Sequence, residues 1–166
     1  MRRSATRASR ENPGVIAPPP LIALAAILLG AAIDWLVALG LLATVPFPWR
    51  VAAAVIVGIA GLNLGVSGML AFRRIGTHIE PWKPATALAT EGVYAHLRNP
   101  MYLGLALGIL ALALGFASDG MLLMLVLFAL VIHFGVVLRE EPYLEAKFGK
   151  AYRRYRARVP RYGWKF

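Results

Sequence analysis

Four stretches almost free of charge, 21–45, 51–72, 101–117 and 121–138, constrain this chain more than anything else in it. Asp34 is the one formally charged residue inside them. A helix rises ~1.5 Å per residue and ~17–25 apolar residues cross a bilayer, so each stretch is a candidate span. The hydrophobic fraction of 59% exceeds the ~45–50% of globular domains, and the excess lies in these runs. Only Ser118, Asp119 and Gly120 join the last two, which suits a tight helical hairpin. The expected fold class is an all-α integral membrane protein. It has about four transmembrane helices, a C-terminal helical hairpin and a cytoplasmic amphipathic tail helix.

The basic residues set an orientation. Arg2, Arg3, Arg7 and Arg10 precede the first run, and Arg50 alone separates the first from the second. Arg73, Arg74, Lys83 and Arg98 lie between the second and third runs, none between the third and fourth, and many follow Leu138. Lys and Arg are retained on the cytoplasmic side. Four spans with both termini cytoplasmic satisfy every loop, and the cell inner membrane is the expected location. Three spans would split the basic segments. The first run is too long for the ~7–15-residue core of a cleavable signal. The net charge of +10 is read as contact with anionic membrane lipid, with no nucleic-acid partner. Absence of cysteine removes disulfides, thiolate metal sites and a cysteine nucleophile together.

The chain divides into a flexible basic lead over 1–20 and a single membrane domain over 21–166. The run Pro18-Pro19-Pro20 reads as a helix stop. Gly61 and Gly65 form a small-x-x-x-small pair that permits close helix contact, either within the bundle or in a homodimer through the second span. Residues 73–98, broken by Pro81 and Pro84, form a loop without a periodic helix. Loops longer than ~12–15 residues are usually functional or disordered, and the ordered aromatic, glycine and charged residues here favour function. Over about 142–158, Leu144, Phe148, Tyr152 and Tyr155 recur at helical spacing and Val159 follows, which predicts an amphipathic helix packed at the membrane interface. Pro142 predicts a kink or break where the fourth run gives way to it.

Residues 96–104 read HLRNPMYLG, a polar knot at the start of an apolar run. Asn99 suits an N-cap and Pro100 the first helical position. That explains two residues and leaves Arg98 and Tyr102, which need be no more than interface anchors. A helix start also carries free amides and the positive end of the helix dipole, which attract a carboxylate or phosphate. Antiparallel third and fourth spans bring Glu140 and Glu141 to the same membrane face. Adjacent carboxylates can hold a ribose diol or an ammonium. The plainer alternative is a solvated acidic pair shielded by Arg139 and Lys147, with Glu145 turned to solvent. Asp34 reads as a structural hydrogen-bonding group. His133 reads as a packing residue, and His78 and His96 are too isolated to define a metal site, so no metal is expected.

The ordered set Gly92-Val93-Tyr94, Arg98-Asn99-Pro100-Met101-Tyr102-Leu103-Gly104, an apolar hairpin, then Glu140-Glu141, Leu144, Phe148-Gly149, Tyr152, Tyr155 and Val159-Pro160 resembles the isoprenylcysteine carboxyl methyltransferase family, which is related to the membrane phospholipid methyltransferases. The resemblance implies a membrane enzyme using S-adenosylmethionine. Carried over by position, Thr86, Ala87, Leu88 and Ala89 border the cofactor. Tyr94, Asn99, Pro100, Met101 and Tyr102 contact it, and Glu140 and Glu141 bind it. Arg98 is a candidate for orienting the acceptor, or a brace for the acidic pair. Many members have His where this chain has Asn99, so no acid–base role transfers to that position. Eukaryotic prenylcysteine enzymes have Arg where this chain has Val136. That disfavours a prenylcysteine carboxylate and leaves small hydrophobic or lipid-like acceptors.

Two other classes compete. A non-catalytic transporter or lipid-binding scaffold would use Asp34 and Asn63 along a path, yet the polar groups cluster at one face instead of mid-membrane. A nicotinamide-dependent membrane reductase of related fold lacks support from any Gly-x-Gly-x-x-Gly strand–helix signature. Reporter fusions after Arg10, Asp119 and Phe166 test the four-span arrangement. Arg10 and Phe166 should report one side and Asp119 the other; opposite sides for Arg10 and Phe166 would refute it.

Overall fold

The computed structural model describes residues 13–37, 39–80 and 83–163. Residues 1–12 of the expected flexible lead, and Pro81, lie outside them. Among the described residues all regular structure is helical: α1 (Pro19–Leu36), α2 (Phe47–Arg74), α3 (Pro100–Phe116), α4 (Asp119–Ile132), α5 (Leu138–Phe148) and α6 (Lys150–Arg158). A π-helical turn over His133–Val137 makes α4 and α5 one continuous helical stretch. Three stretches, Pro19–Leu36, Phe47–Arg74 and Asp119–Phe148, are long and apolar enough to cross a membrane. The apolar α3 is shorter, at 17 residues. Leu28, Ile56, Ile59, Leu62, Val126 and Leu130 are left exposed, as a lipid surrounding requires.

Helix α2 packs on α3, α3 on α4, and α4 on α1. The α2–α3 crossing is made by glycines. A Cβ on Gly104 would lie 2.7 Å from the Gly61 carbonyl oxygen and 2.9 Å from the Gly65 nitrogen. The small-residue pair of α2 is thus filled within the chain, by α3. The α3–α4 hairpin closes tightly: Ala117 is left-handed at φ 54°, and Ser118 N–H donates to Ala113 O. Ser118 then caps α4, its hydroxyl accepting from Met121 N–H and donating to Asp34. Asp34 also accepts from Gly120 N–H at 2.8 Å. Its role is to tie α1 to that hairpin, while Asn63 accepts from Ser67 on its own helix.

Several boundaries differ from the sequence reading. Pro19 and Pro20 open α1 instead of stopping a helix, because the first turn needs no amide donors. The helix of the first run ends at Leu36, not near Val45. The chain beyond it folds back, and Asp119 accepts from the amides of Leu41 and Leu42 at 2.7 and 2.9 Å. Pro142 sits inside α5, and the irregularity falls earlier, in the π turn. Leu138 at that turn has ψ −11°, rotated from the helical value of about −42°. That rotation moves the carbonyl that the proline ring would otherwise meet. The single tail helix over 142–158 is two helices, because Gly149 takes φ 53° and ψ −123°, which side-chain-bearing residues avoid.

Two apolar cores result. One lies in the bundle around Ile109, Phe128, Ile132, Val136 and Val137. The other joins Ala89 and Tyr94 of the 75–99 connection to Tyr152, Tyr155 and Val159, with Leu144 and Phe148 packed against them. The apolar face of the tail therefore meets the chain's own loop. The loop itself holds one 3-10 turn, Gly92–Ala95, and no longer helix among its described residues.

Gly104→Ala should destabilise the protein by ~1–3 kcal/mol, because backbone atoms on α2 must move. Gly65→Ala, where an added Cβ meets nothing within 4 Å, should be neutral or stabilising. Thermal unfolding in detergent separates them, and equal effects would contradict the crossing.

Candidate active site

A cleft opens at the end of the bundle that carries the loop and the tail. Its walls are the loop residues 77–80 and 83–89 with Tyr94, the start of α3, and α5 with the tyrosines of α6. It encloses about 870 Å³, part of it open to solvent. The α3–α4 hairpin brings the two ends of the sequence pattern together. Tyr102 Oη, on the first turn of α3, donates to Glu140 Oε1 on α5 at 2.6 Å. Glu140 is partly buried, and no Lys or Arg among the described residues lies within ion-pair distance of it.

Glu141 is committed differently. Arg98 Nη1 donates to its Oε1 at 2.8 Å, and Arg161 forks it, Nε to Oε1 at 2.6 Å and Nη2 to Oε2 at 2.8 Å. The Arg98 and Glu141 side chains are each 10% exposed. Arg98 Nη1 also donates to Tyr152 Oη at 3.1 Å. The hydrogen bond to the Glu141 carboxylate raises the affinity of Arg161 for its proton. The shield expected from Arg139 and Lys147 is not what holds the glutamates: Arg139 donates to Gly14 O, and Lys147 donates to Tyr143 Oη. Glu145 is not idle in solvent either. It pairs with Arg156 at 2.8 Å and Arg153 at 3.6 Å, bridging α5 to α6.

Asn99 precedes Pro100 at the head of α3, but its side chain does not cap the helix. Its amide nitrogen donates to Arg161 O at 3.3 Å. The reason is the C-terminal segment, which runs alongside and takes hydrogen bonds from both Arg98 N–H and Asn99 N–H. The amides of Met101 and Tyr102 remain at the helix start without intrahelical acceptors.

Of the residues named from the sequence, Ala87, Leu88, Ala89, Tyr94, Arg98, Asn99, Met101, Tyr102, Glu140 and Glu141 line the cleft. Thr86 and Pro100 stand behind it. Thr86 closes the loop, its N–H donating to Thr77 Oγ1 and its hydroxyl to Gly76 O, both at 3.0 Å. Pro100 is fully buried, seated beside Gly68. The sequence reading missed Phe72, Thr77 and Tyr143. Phe72 stacks on Tyr94 with ring centroids 5.2 Å apart. Tyr143 Oη accepts from Ala85 N–H. Burial drives the hydroxyls of Tyr94 and Tyr155 well above the usual phenol range, so both stay protonated; Tyr155 donates to Tyr94 O at 2.7 Å. At the rim, a hydrogen bond from Lys83 lowers the Glu80 carboxyl. His133 Nδ1 lies 3.1 Å from Tyr162 Oη, a packing contact away from the cleft lining.

The family model for phospholipid methyltransferases matches residues 49–151, more than half of the chain. This protein belongs to that family. The family includes the isoprenylcysteine carboxyl methyltransferases, and membership implies an integral membrane methyltransferase. An uncharacterized protein of Haemophilus influenzae is 45% identical over 62 residues, which cover 37% of this chain and 98% of that protein. No solved structure matches.

Breaking the buried cluster should be costly. Glu141→Gln leaves two arginines facing a neutral amide, and should destabilise by ~3 kcal/mol or more. Glu145→Gln, at a more exposed pair, should cost under ~1 kcal/mol. Denaturant or thermal unfolding in detergent decides, and equal losses would contradict the assignment.

Proposed function

We propose that the protein transfers a methyl group from S-adenosylmethionine to a small hydrophobic or lipid-like acceptor at the cytoplasmic membrane face, with four spans and both termini cytoplasmic. The observation that carries this reading is the Tyr102–Glu140 contact across the hairpin, inside a cleft of a methyltransferase-family chain.

The residues present fit the methyl donor. Arg98 Nε is buried without a hydrogen-bond partner among the described residues, and Arg98 lines the cleft. Together with the amides of Met101 and Tyr102, it suits the donor's carboxylate. Glu140, held by Tyr102 and free of a basic partner among the described residues, suits an ammonium or a ribose hydroxyl. Phe72, Tyr94 and Leu88 offer aromatic and apolar surface for a purine. When bound, S-adenosylmethionine supplies a methyl on a sulfonium, an electrophile for in-line displacement.

The protein's contribution is positioning and electrostatics. The Glu141 carboxylate is matched by two guanidinium groups, so the acid beside the donor site with no guanidinium partner among the described residues is Glu140. A carboxylate there favours the cationic donor. The Nη1 of Arg98 is engaged by Glu141 and Tyr152, which supports the brace among the two readings offered by the sequence and leaves Nε for the donor. The Tyr102 hydroxyl fixes Glu140 and limits its reorientation. The loop residues 83–89 and the apolar wall at Val137 and Leu144 restrict water, which strengthens those interactions.

Donor binding to the detergent-solubilised protein tests the reading by calorimetry. Glu140→Gln should weaken S-adenosylmethionine binding by ~1.5–3 kcal/mol, and Asn99→Ala, which loses one neutral side-chain hydrogen bond, by ~0.5–1.5 kcal/mol. Asn99→His should retain substantial binding. Glu91→Gln, at an exposed position outside the cleft lining, should leave it unchanged. Unaltered affinity in Glu140→Gln would remove that residue from the donor site.

A further inference from the structure

Residues 160–162 lie beyond the stretch matched by the family model, yet they touch both walls of the cleft. Pro160 O accepts from Arg98 N–H at 2.9 Å, and Arg161 O accepts from Asn99 N–H at 3.2 Å. The Asn99 side-chain amide donates to the same carbonyl. On the opposite wall, the Arg161 guanidinium forks Glu141. Tyr162 Oη reaches His133 in the π turn that sets the rotation of α5. Each extra residue in a helical turn rotates the downstream helix by roughly 100°, so a contact on that turn bears on where Glu140 points.

We infer that residues 160–162 form a clasp that fixes the spacing of the two cleft walls, and that Arg161 is a positioning residue for the methyl-donor site. Arg161 shares Glu141 with Arg98, so Arg98 need not swing fully onto that carboxylate. Its Nε then stays without a partner among the described residues, and the 98–99 backbone stays seated at the head of α3. Arg161 itself is absent from the cleft lining, so its effect passes through Arg98, Asn99 and Glu141. Arginine suits this position because its planar fork engages both carboxylate oxygens, which a lysine cannot do.

This inference rests on the reading of the cleft as a methyl-donor site, and two measurements keep the two apart. Full-length protein in lipid nanodiscs is assayed for S-adenosylhomocysteine binding by calorimetry. In the absence of ligand, hydrogen exchange is followed at the Arg98 and Asn99 amides. Arg161→Gln should weaken binding by about tenfold and speed exchange at both amides by about tenfold. Arg161→Lys, which keeps the charge without the fork, should recover part of the affinity. Tyr162→Phe should move both readouts in the same direction by a smaller factor, and serves if Arg161→Gln fails to fold. Unchanged exchange in the variants would overturn the clasp. Faster exchange with unaltered affinity would overturn the positioning role. Failure of the unmodified protein to bind S-adenosylhomocysteine would overturn the donor reading instead.

Discussion

A carboxylate taken out of water must find partners, at a cost of several kcal/mol when it does not. Glu141 meets that requirement with arginines from two distant parts of the chain, Arg98 before α3 and Arg161 after α6. Because both arginines end on one carboxylate, the loop, the head of α3, α5 and the C-terminal segment are held at one point. Three N–H donors on that carboxylate also mean that it has little capacity left for a ligand. The pair Glu140-Glu141 thus divides its labour. One acid binds the protein together, and its neighbour faces the cleft with a single tyrosine hydroxyl on it.

The division depends on how the helix enters α5. Adjacent helical residues point ~100° apart, so Glu140 and Glu141 necessarily face different surroundings. Which of them meets Tyr102 and which meets the two arginines is set upstream, by the π turn over His133–Val137. Such turns recur at functional sites because one added residue re-aims the helix beyond it. Glycines complete the arrangement on the other side. Gly61 and Gly104 let α2 approach α3 closely, and Gly68 leaves room for Pro100 and Met101 at the head of α3. The small residues and the acids therefore act on the same object, the position of the α3 start against α5.

Much of this was legible in the sequence. The apolar runs located the helices, the three-residue join located the hairpin, and antiparallel packing placed Tyr102 and Glu140 on one face. Other features were not legible for identifiable reasons. An amphipathic tail reads the same whether a membrane or a loop covers it, so the burial of Tyr152 and Tyr155 against Tyr94 was invisible. Asn99 has the right chemistry for an N-cap, and only the neighbouring 160–162 segment diverts its amide. Which arginines reach Glu141 depends on contacts spanning 43 and 20 residues, which no local pattern encodes. The π turn leaves no signature beyond the proline downstream of it, and that proline reads as the break itself.

Methyl transfer from S-adenosylmethionine at this cleft, as proposed, is decided by incubating the purified protein, in lipid, with methyl-labelled S-adenosylmethionine and an extract of its own membranes, then identifying the labelled product. Label should appear in a hydrophobic or lipid-like species and be lost when Glu140→Gln replaces the unmodified protein. Folded protein that binds no donor and labels nothing, or a labelling that Glu140→Gln leaves intact, would contradict it.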